Sequence, residues 1–207
     1  YFDMIFDFHA ADIDVENGSE WFRECDWSVK AFRETLFASQ LAFTRAGWGT
    51  TFIENHDQPR ALSKLVRDAD YQNEIGATAL AAMYFFMHGT PFIYQGQELG
   101  MKNFCRSEIS EFNDISSLDN YDRSLAEGFS AEEAMGFVNR RSRDNSRTPF
   151  PWSDGVNAGF NNGATPWLAL STDDTSLNAQ SQLARADSVF SFYKKMIALR
   201  NIDFPET

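Results

Sequence analysis

Three apolar, strand-like segments separated by helical segments constrain the fold of this chain more than any other feature. Aromatic and β-branched residues dominate residues 1–8, 50–55 and 91–95, whereas residues 21–45 and 70–88 carry apolar residues at helical spacing. Because parallel strands need a long crossover between them, usually a helix, this alternation predicts an α/β fold with a parallel sheet or barrel. The strands are almost entirely apolar, so we expect both faces to be covered.

The second half of the chain has a different texture. Residues 101–130 are polar and predict a loop, and residues 131–141 predict a short helix. The stretch SRDNSRTPFPWSDGVNAGF that follows is rich in Pro, Gly, Asn and Arg. It is too long for a simple connection, and loops of this length are usually functional. Residues 187–201 predict a capped amphipathic helix.

Composition excludes several classes of partner. The net charge of −12 disfavours nucleic acid and anionic membrane surfaces, and 43% hydrophobic residues allow a packed core. The longest apolar run is shorter than the roughly 18 residues that a membrane-spanning helix needs. Cys25 and Cys105 form no disulfide framework, so we expect free thiols and a reducing, cytoplasmic location.

Polar clusters follow each predicted strand: Phe8–His9, Asn55–Arg60 and Gln95–Glu98. In parallel α/β folds ligands bind at the carboxyl ends of strands, so we expect the three clusters to face one pocket. His56 and Asp57 would then project towards a ligand. The structural alternative is that Asp57 caps a helix, but the Gln-Pro that follows it is a poor helix start.

Two metal-site interpretations compete with this one. Asp7-x-His9 and the later His-Asp pair resemble pieces of a two-metal phosphoesterase, which would need more ligands than a chain with three histidines offers. Residues 12–17, DIDVEN, resemble the start of a calcium loop, but Arg23 stands where a glutamate is needed. We therefore expect no metal and no cofactor.

Four segments in order carry a family resemblance: ENHDQPR, GTPFIYQGQELGM, SRDNSRTPFPW with NAGF, and FYKKMIALR. Together they resemble the alpha-amylase family of glycoside hydrolases, especially its oligo-1,6-glucosidase, dextran glucosidase and alpha-glucosidase branch. The resemblance implies a (β/α)8 TIM barrel in which residues 1–8, 50–55 and 91–95 are strands six, seven and eight. Residues 1–207 would then be the C-terminal portion of the catalytic domain, without strands one to five or the β-sandwich that usually follows.

The resemblance also implies roles for individual residues. Asp57 matches the carboxylate that stabilises the transition state by binding sugar hydroxyls, and His56 matches the sugar-binding histidine beside it. Arg143 or Arg147 would hydrogen-bond the terminal glucose, with Arg143 preferred.

The arginines have a structural alternative. Arg143 and Arg147 would brace their loop through an ion pair with Asp144 or Asp154. Arg60 is expected to be structural rather than a ligand, because Pro59 turns the chain away.

The implied function is that of a retaining alpha-glucosidase that cleaves alpha-glucosidic bonds, in particular alpha-1,6 bonds, at the non-reducing end of short oligosaccharides such as isomaltose. The nucleophile and the acid/base belong to strands four and five, and Glu98 follows the wrong strand to replace either. We therefore expect residues 1–207 alone to hydrolyse nothing, and their main partner to be the remainder of their own polypeptide. The alternatives are a transglycosylase or sucrose isomerase on the same scaffold, or a non-catalytic relative that serves as a transporter heavy chain.

Overall fold

A computed structural model describes residues 4–17, 19–171 and 177–203. Within these ranges the helices are α1 Val29–Ala46, α2 Ala61–Leu65, α3 Glu74–Phe85, α4 Ile115–Ala126, α5 Ala131–Arg141, α6 Ala179–Leu183 and α7 Val189–Asp203. Two short strands, β1 Thr50–Thr51 and β2 Thr90–Pro91, pair in parallel, with Thr50 opposite Thr90 and Thr51 opposite Pro91. The alternation of parallel strands and helices is therefore present between β1 and β2.

The two strands meet at a pair of glycines. The Thr90 N–H donates to the Gly49 carbonyl at 2.9 Å, and the Phe92 N–H donates to the Thr51 carbonyl at 2.8 Å. Gly89 has a φ of +127°, and a Cβ at this position would lie 2.6 Å from the Gly49 carbonyl oxygen. Only glycine therefore lets β2 enter the sheet this close to the start of β1.

The strands are shorter than the sequence predicts. Residues 1–8 were expected to form a strand, but residues 4–8 form none, and residues 1–3 lie outside the described part. Ile5 is joined to β1 only through its carbonyl, which accepts from Thr50 Oγ1 at 2.9 Å. The predicted strand 50–55 keeps only Thr50 and Thr51, and the predicted strand 91–95 keeps only Pro91, because a strand exists only where a neighbour pairs with it.

Helix boundaries follow the capping residues. α1 begins at Val29 rather than at residue 21, because Ser28 caps it by accepting from the Ala31 N–H at 3.1 Å. α5 matches its predicted range, and Ser130 and Glu133 form a capping box at its start. α7 matches its predicted range closely and is capped by Ser188.

The core lies between α2, α3 and α7. Its buried members are Ile53, Ala61, Leu62, Ala77, Ala81, Tyr84, Phe85, Val189, Tyr193 and Met196. Helical spacing over residues 70–88 predicts an apolar face on Ile75, Ala79, Ala82, Met83 and Phe86. This prediction was wrong for Ile75 and Phe86, because both are exposed. α3 is apolar on nearly every side, so periodicity does not select a face, and packing against α7 does.

The prediction of a polar loop over residues 101–130 was also wrong, because it contains α4. Asp114 caps this helix and accepts from the Ser116 N–H at 3.3 Å. The buried side of α4 is made of small polar residues such as Ser117 and Ser124, and it packs against α5. A face of this kind gives no apolar periodicity, so the hydrophobic pattern alone misses the helix.

The described residues lack several kinds of feature. None of their helices is both long and apolar enough to cross a bilayer. They contain no group of three or more His, Cys, Asp or Glu residues that could hold a metal ion. Cys25 and Cys105 are both free.

Candidate active site

Asp57 lies in the turn that follows β1. Its backbone N–H donates to the Asn55 side-chain oxygen at 2.8 Å, an arrangement in which the Asn side chain takes the place of a backbone carbonyl and tightens the turn. The Asp57 side chain is 42% exposed. The carboxylate is therefore neither locked in the interior nor fully in solvent, as a residue that meets a ligand should be.

Two arginines bind the Asp57 carboxylate from one short helical turn, Arg143–Ser146, and the residue after it. Arg143 Nη1 and Arg147 Nη2 each lie 3.3 Å from Asp57 Oδ1. Arg147 Nε also donates to the His56 carbonyl at 3.0 Å. We call Arg143 and Arg147 the arginine clamp. It joins two parts of the chain that are almost ninety residues apart in sequence.

His56 completes the group. Its Nε2 lies 3.2 Å from Asp57 Oδ2, on the oxygen that the arginine clamp leaves free, and its side chain is 68% exposed. The structure thus brings together all four residues that the sequence singled out. The side chains of Asp57 and His56 remain partly exposed, while the arginine clamp holds Asp57 through Oδ1.

Asp114 is the member of the site that sequence reasoning missed. Its side chain is 1% exposed and accepts from Arg143 through Nε at 2.9 Å and through Nη2. Burial acts to raise the pKa of Asp114, but hydrogen bonds from Arg143 and Ser117 outweigh burial and hold this pKa below its ordinary value. The same contact raises the pKa of Arg143. The expected bracing partners Asp144 and Asp154 were wrong, because the partner is Asp114.

Asp57 borders two cavities. The first, of about 230 Å³, is mostly aromatic and is lined by Phe6, Phe8, Phe52, Glu54, Asn55, His56, Asp57, Phe92, Ile93 and Tyr94. The second, of about 370 Å³, is polar and is lined by Phe8, Asp12, Ser19, Trp21, Asp57, Gln58, Ser116, Asp119, Asn120, Arg123, Arg141 and Arg143. A larger cavity of about 560 Å³ elsewhere includes none of the four predicted site residues. Asp57 is the charged group shared by an apolar and a polar compartment.

A buried ion pair supports the site from below. Arg60 Nη1 donates to Glu54 Oε1 at 3.0 Å and to the Gln95 carbonyl at 2.7 Å, and Arg60 Nε donates to the Asn145 carbonyl at 3.3 Å. Glu54 also accepts from the Ala61 N–H at 2.6 Å. These contacts tie the ends of both strands to the turn that carries the arginine clamp. Arg60 is therefore structural, as the sequence predicted.

The other two strand-end clusters reach this region only in part, because Phe8 lines both cavities beside Asp57 but His9 and the cluster at residues 95–98 line neither. His9 pairs with Asp7 and is 84% exposed, and it lines neither of the cavities beside Asp57. Gln97 is buried and donates to Tyr84 and Tyr193 in the core. Only the cluster after β1 supplies charged groups to the aromatic cavity.

The acidic stretch after residue 11 binds a buried arginine. Arg141 Nη1 donates to Asp14 at 2.8 Å and Arg141 Nη2 donates to Asp12 at 3.0 Å. These aspartates therefore serve as counter-charges to a buried arginine rather than as calcium ligands.

Comparison with known proteins decides the family. The alpha-amylase catalytic domain family matches residues 2–204. The chain belongs to the alpha-amylase family. Its relatives include a probable oligo-1,6-glucosidase of Bacillus subtilis, 42% identical over 96% of this chain, and a trehalose-6-phosphate hydrolase of Escherichia coli, 38% identical over 95% of it.

Solved structures agree with this assignment. An isomaltulose synthase from Erwinia rhapontici superposes with a TM-score of 0.90 at 37% identity, over 98% of this chain and 36% of that structure. The chain spans about 35% of the length of the two relatives named above. The alpha-amylase catalytic domain is a TIM barrel, and the parallel pairing of β1 with β2 is in keeping with that fold.

Proposed function

We propose that the protein to which this chain belongs is a retaining alpha-glucosidase that acts at the non-reducing end of short oligosaccharides. The observation that carries the proposal is the Asp57 carboxylate, half exposed between two cavities and bound by two arginines on one oxygen. Its other oxygen faces His56 and open space. A rigidly held anion beside an aromatic cavity suits a sugar ring that develops positive charge in the transition state.

Asp57 would act by hydrogen bonding. A carboxylate accepts hydrogen bonds from hydroxyl groups and cannot donate while it is ionised. Two sugar hydroxyls on Asp57 would strengthen their bonds as the ring becomes an oxocarbenium ion. The aromatic residues Phe8, Phe52 and Tyr94 line the same cavity and offer apolar surface to the ring.

His56 and the arginine clamp would orient the sugar. The Arg143 guanidinium has five N–H groups, and it uses those on Nε and Nη2 to bind Asp114 and Ser116. The N–H groups on Nη1 are directed at Asp57, which Arg143 joins in lining the polar cavity. We propose that Nη1 and the His56 ring bind hydroxyls of the terminal glucose. Arg147, which is tied to the His56 carbonyl, would mainly hold this backbone in place.

The remainder of the barrel would carry the bond-breaking groups. A retaining glycosidase needs two carboxyl groups about 5–5.5 Å apart, one as nucleophile and one as acid/base. Besides Asp57, the carboxyl group that lines the aromatic cavity is Glu54, and its two oxygens are taken by Arg60 and the Ala61 N–H. Following the family resemblance, we propose that both reacting carboxylates lie on barrel strands four and five, with residues 4–8, β1 and β2 in the positions of strands six to eight.

The charge of the polar cavity favours an uncharged substrate. Its lining contains as many cations as anions, namely Arg123, Arg141 and Arg143 against Asp12, Asp57 and Asp119. A phosphorylated sugar would need an excess of positive charge there. We therefore prefer a neutral glucoside such as isomaltose to a sugar phosphate.

The test is Asp57→Asn in the full-length protein. Removal of one well-placed group of this kind costs about 10²–10³ in rate, and Asp57 would contact two hydroxyls, so kcat/KM for p-nitrophenyl alpha-glucoside should fall at least about 100-fold. Glu74→Gln is the matched control, since Glu74 is also a half-exposed carboxylate bound by an arginine, Arg185. Near-normal turnover by Asp57→Asn refutes the assigned role. A wild-type protein inactive on all glucosides would favour a non-catalytic relative.

Sucrose isomerisation is the second candidate, and the TM-score of 0.90 with an isomaltulose synthase favours it. The two activities differ in what attacks the glucosyl group, water in hydrolysis and the released fructose in isomerisation. Incubation with sucrose followed by chromatography separates them, because hydrolysis gives glucose and fructose and isomerisation gives a new disaccharide.

A further inference from the structure

Asp114 sits behind the arginine clamp and does not line either of the cavities beside Asp57. It accepts two hydrogen bonds from Arg143 on the single oxygen Oδ1, from Nε and Nη2. Arg147 Nη1 approaches the same oxygen at 3.9 Å. The guanidinium groups of both clamp arginines thus lie within 4 Å of Asp114 as well as of Asp57.

Asp114 is itself held by backbone and side-chain contacts. Its Oδ1 accepts from the Ser116 N–H as the cap of α4, and its Oδ2 accepts from Ser117 Oγ at 3.0 Å. Its own N–H and that of Asn113 donate to Asp144 Oδ2 at 3.0 and 2.7 Å. Asp144 is fully buried. The Asp114 carboxylate therefore cannot turn away without disturbing the start of α4.

A free arginine side chain has many rotamers, worth roughly 2 kcal/mol in entropy. The Arg143 side chain is about a quarter exposed, so packing alone does not fix its rotamer. Its hydrogen bonds must select the rotamer that reaches Asp57. Asp57 is bound at 3.3 Å, a long contact, whereas Asp114 is bound twice and more closely. The buried partner, not Asp57, supplies most of the restraint on the guanidinium.

We propose that Asp114 is a positioning residue, which fixes the Arg143 guanidinium and through it the orientation of the Asp57 carboxylate. The inference rests on the proposed function of Asp57 and Arg143. Asp114 touches no substrate in this scheme, and its effect on catalysis passes entirely through Arg143.

The experiment is Asp114→Asn in the full-length protein, assayed with p-nitrophenyl alpha-glucoside. Asn caps helices as well as Asp, so α4 should still form, while Arg143 loses its anion. Since small misplacements of a site can cost about 10²-fold, we expect kcat/KM to fall roughly 10- to 100-fold. Asp122→Asn, an exposed aspartate on α4, and Ser130→Ala, the cap of α5, control for charge and for cap loss.

A double-mutant cycle separates positioning from a structural role. If Asp114 acts through Arg143, Asp114→Asn should cause no further loss in an Arg143→Ala background. Losses that multiply overturn the inference, and so does a fully active Asp114→Asn. A fully active Arg143→Ala overturns the proposed role of Arg143 as well, so the two failures are distinguishable.

A second variant keeps the inference testable if Asp114→Asn folds poorly. Ser116 Oγ accepts from Arg143 Nη2 at 3.0 Å, and Ser116→Ala removes this restraint while the helix cap stays intact. We expect a severalfold loss of kcat/KM that also disappears in the Arg143→Ala background. A loss that persists there would mean that Ser116 acts independently of Arg143 and would count against the inference.

Discussion

Arg60→Met tests how much of the site depends on the ion pair beneath it. Arg60 and Glu54 have side chains only 1% and 2% exposed. Met fills much of the volume of the Arg stem but leaves the Glu54 carboxylate without its cation. The Gln95 and Asn145 carbonyls also lose their donor.

The magnitude follows from burial. Removal of one partner of a buried pair costs about 3–5 kcal/mol, because an uncompensated charge stays in the interior. A cooperative unit of about 200 residues loses roughly 2–4 °C in melting temperature for each kcal/mol. We therefore expect a fall of about 10 °C, somewhat smaller if the full-length protein unfolds as a larger unit.

The loss should also depend on pH. Burial raises the pKa of Glu54, and the charge of Arg60 is the main influence that opposes it. In Arg60→Met this pKa rises further, so the folded protein holds a proton that the unfolded chain releases above about pH 4.5. Stability of the variant relative to wild type should therefore fall as pH rises.

Melting temperatures at pH 5.5 and 8 check this expectation. The double variant Glu54→Gln/Arg60→Met, which carries neither charge, should recover part of the loss and should lack the pH dependence. A single variant that loses the same stability at both pH values, or a double variant no better than the single, would refute the reasoning that an unpaired buried anion is the cause.

Two further predictions concern the clamp and a buried lysine. Arg143→Ala should raise KM about tenfold or more, since a hydrogen bond to a charged group contributes about 1.5–3 kcal/mol. Arg147→Ala should mainly lower kcat. An unchanged KM in Arg143→Ala would favour Arg147 as the ligand. Burial, with the charge of Arg141 adding to it, lowers the pKa of Lys64 to about 8. Between that pH and 10.5 the unfolded chain keeps a proton that the folded chain has lost. Wild type should therefore gain stability over Lys64→Met with rising pH, by up to about 1.4 kcal/mol per pH unit, and melting curves of both at pH 7.5 and 9.5 measure this gain.

Local signals made some elements predictable. α5 is confirmed over residues 131–141, because a capping box and an amphipathic pattern point to the same range. α4 was missed, although Asp114 is a good cap residue. The buried side of α4 is polar and packs against α5, so the helix has no apolar periodicity. The strands were overestimated, since their length depends on neighbours that pair with them rather than on their own residues.

The residues of the candidate site also differ in whether the sequence could identify them. The family resemblance identified Asp57, His56, Arg143 and Arg147, and the structure brings these residues together. Asp114 could not be found from motifs, because its importance comes from burial and from the guanidinium that it faces. A buried counter-charge leaves no mark on hydropathy, and it becomes visible only when segments distant in sequence meet.

The charges around Asp57 fit the proposal that this acidic chain contributes to a site for a neutral sugar. The chain has a net charge of −12, yet the guanidiniums of Arg60, Arg141 and Arg143 each face one or two carboxylates. Long-range attraction contributes little to binding an uncharged ligand, so under this proposal these pairs would serve orientation instead. An arginine has a planar fork that one carboxylate can fix while other N–H groups stay available. A lysine at position 143 would keep the charge but lose the planar fork, in which Nε and Nη2 bind Asp114 while Nη1 reaches Asp57.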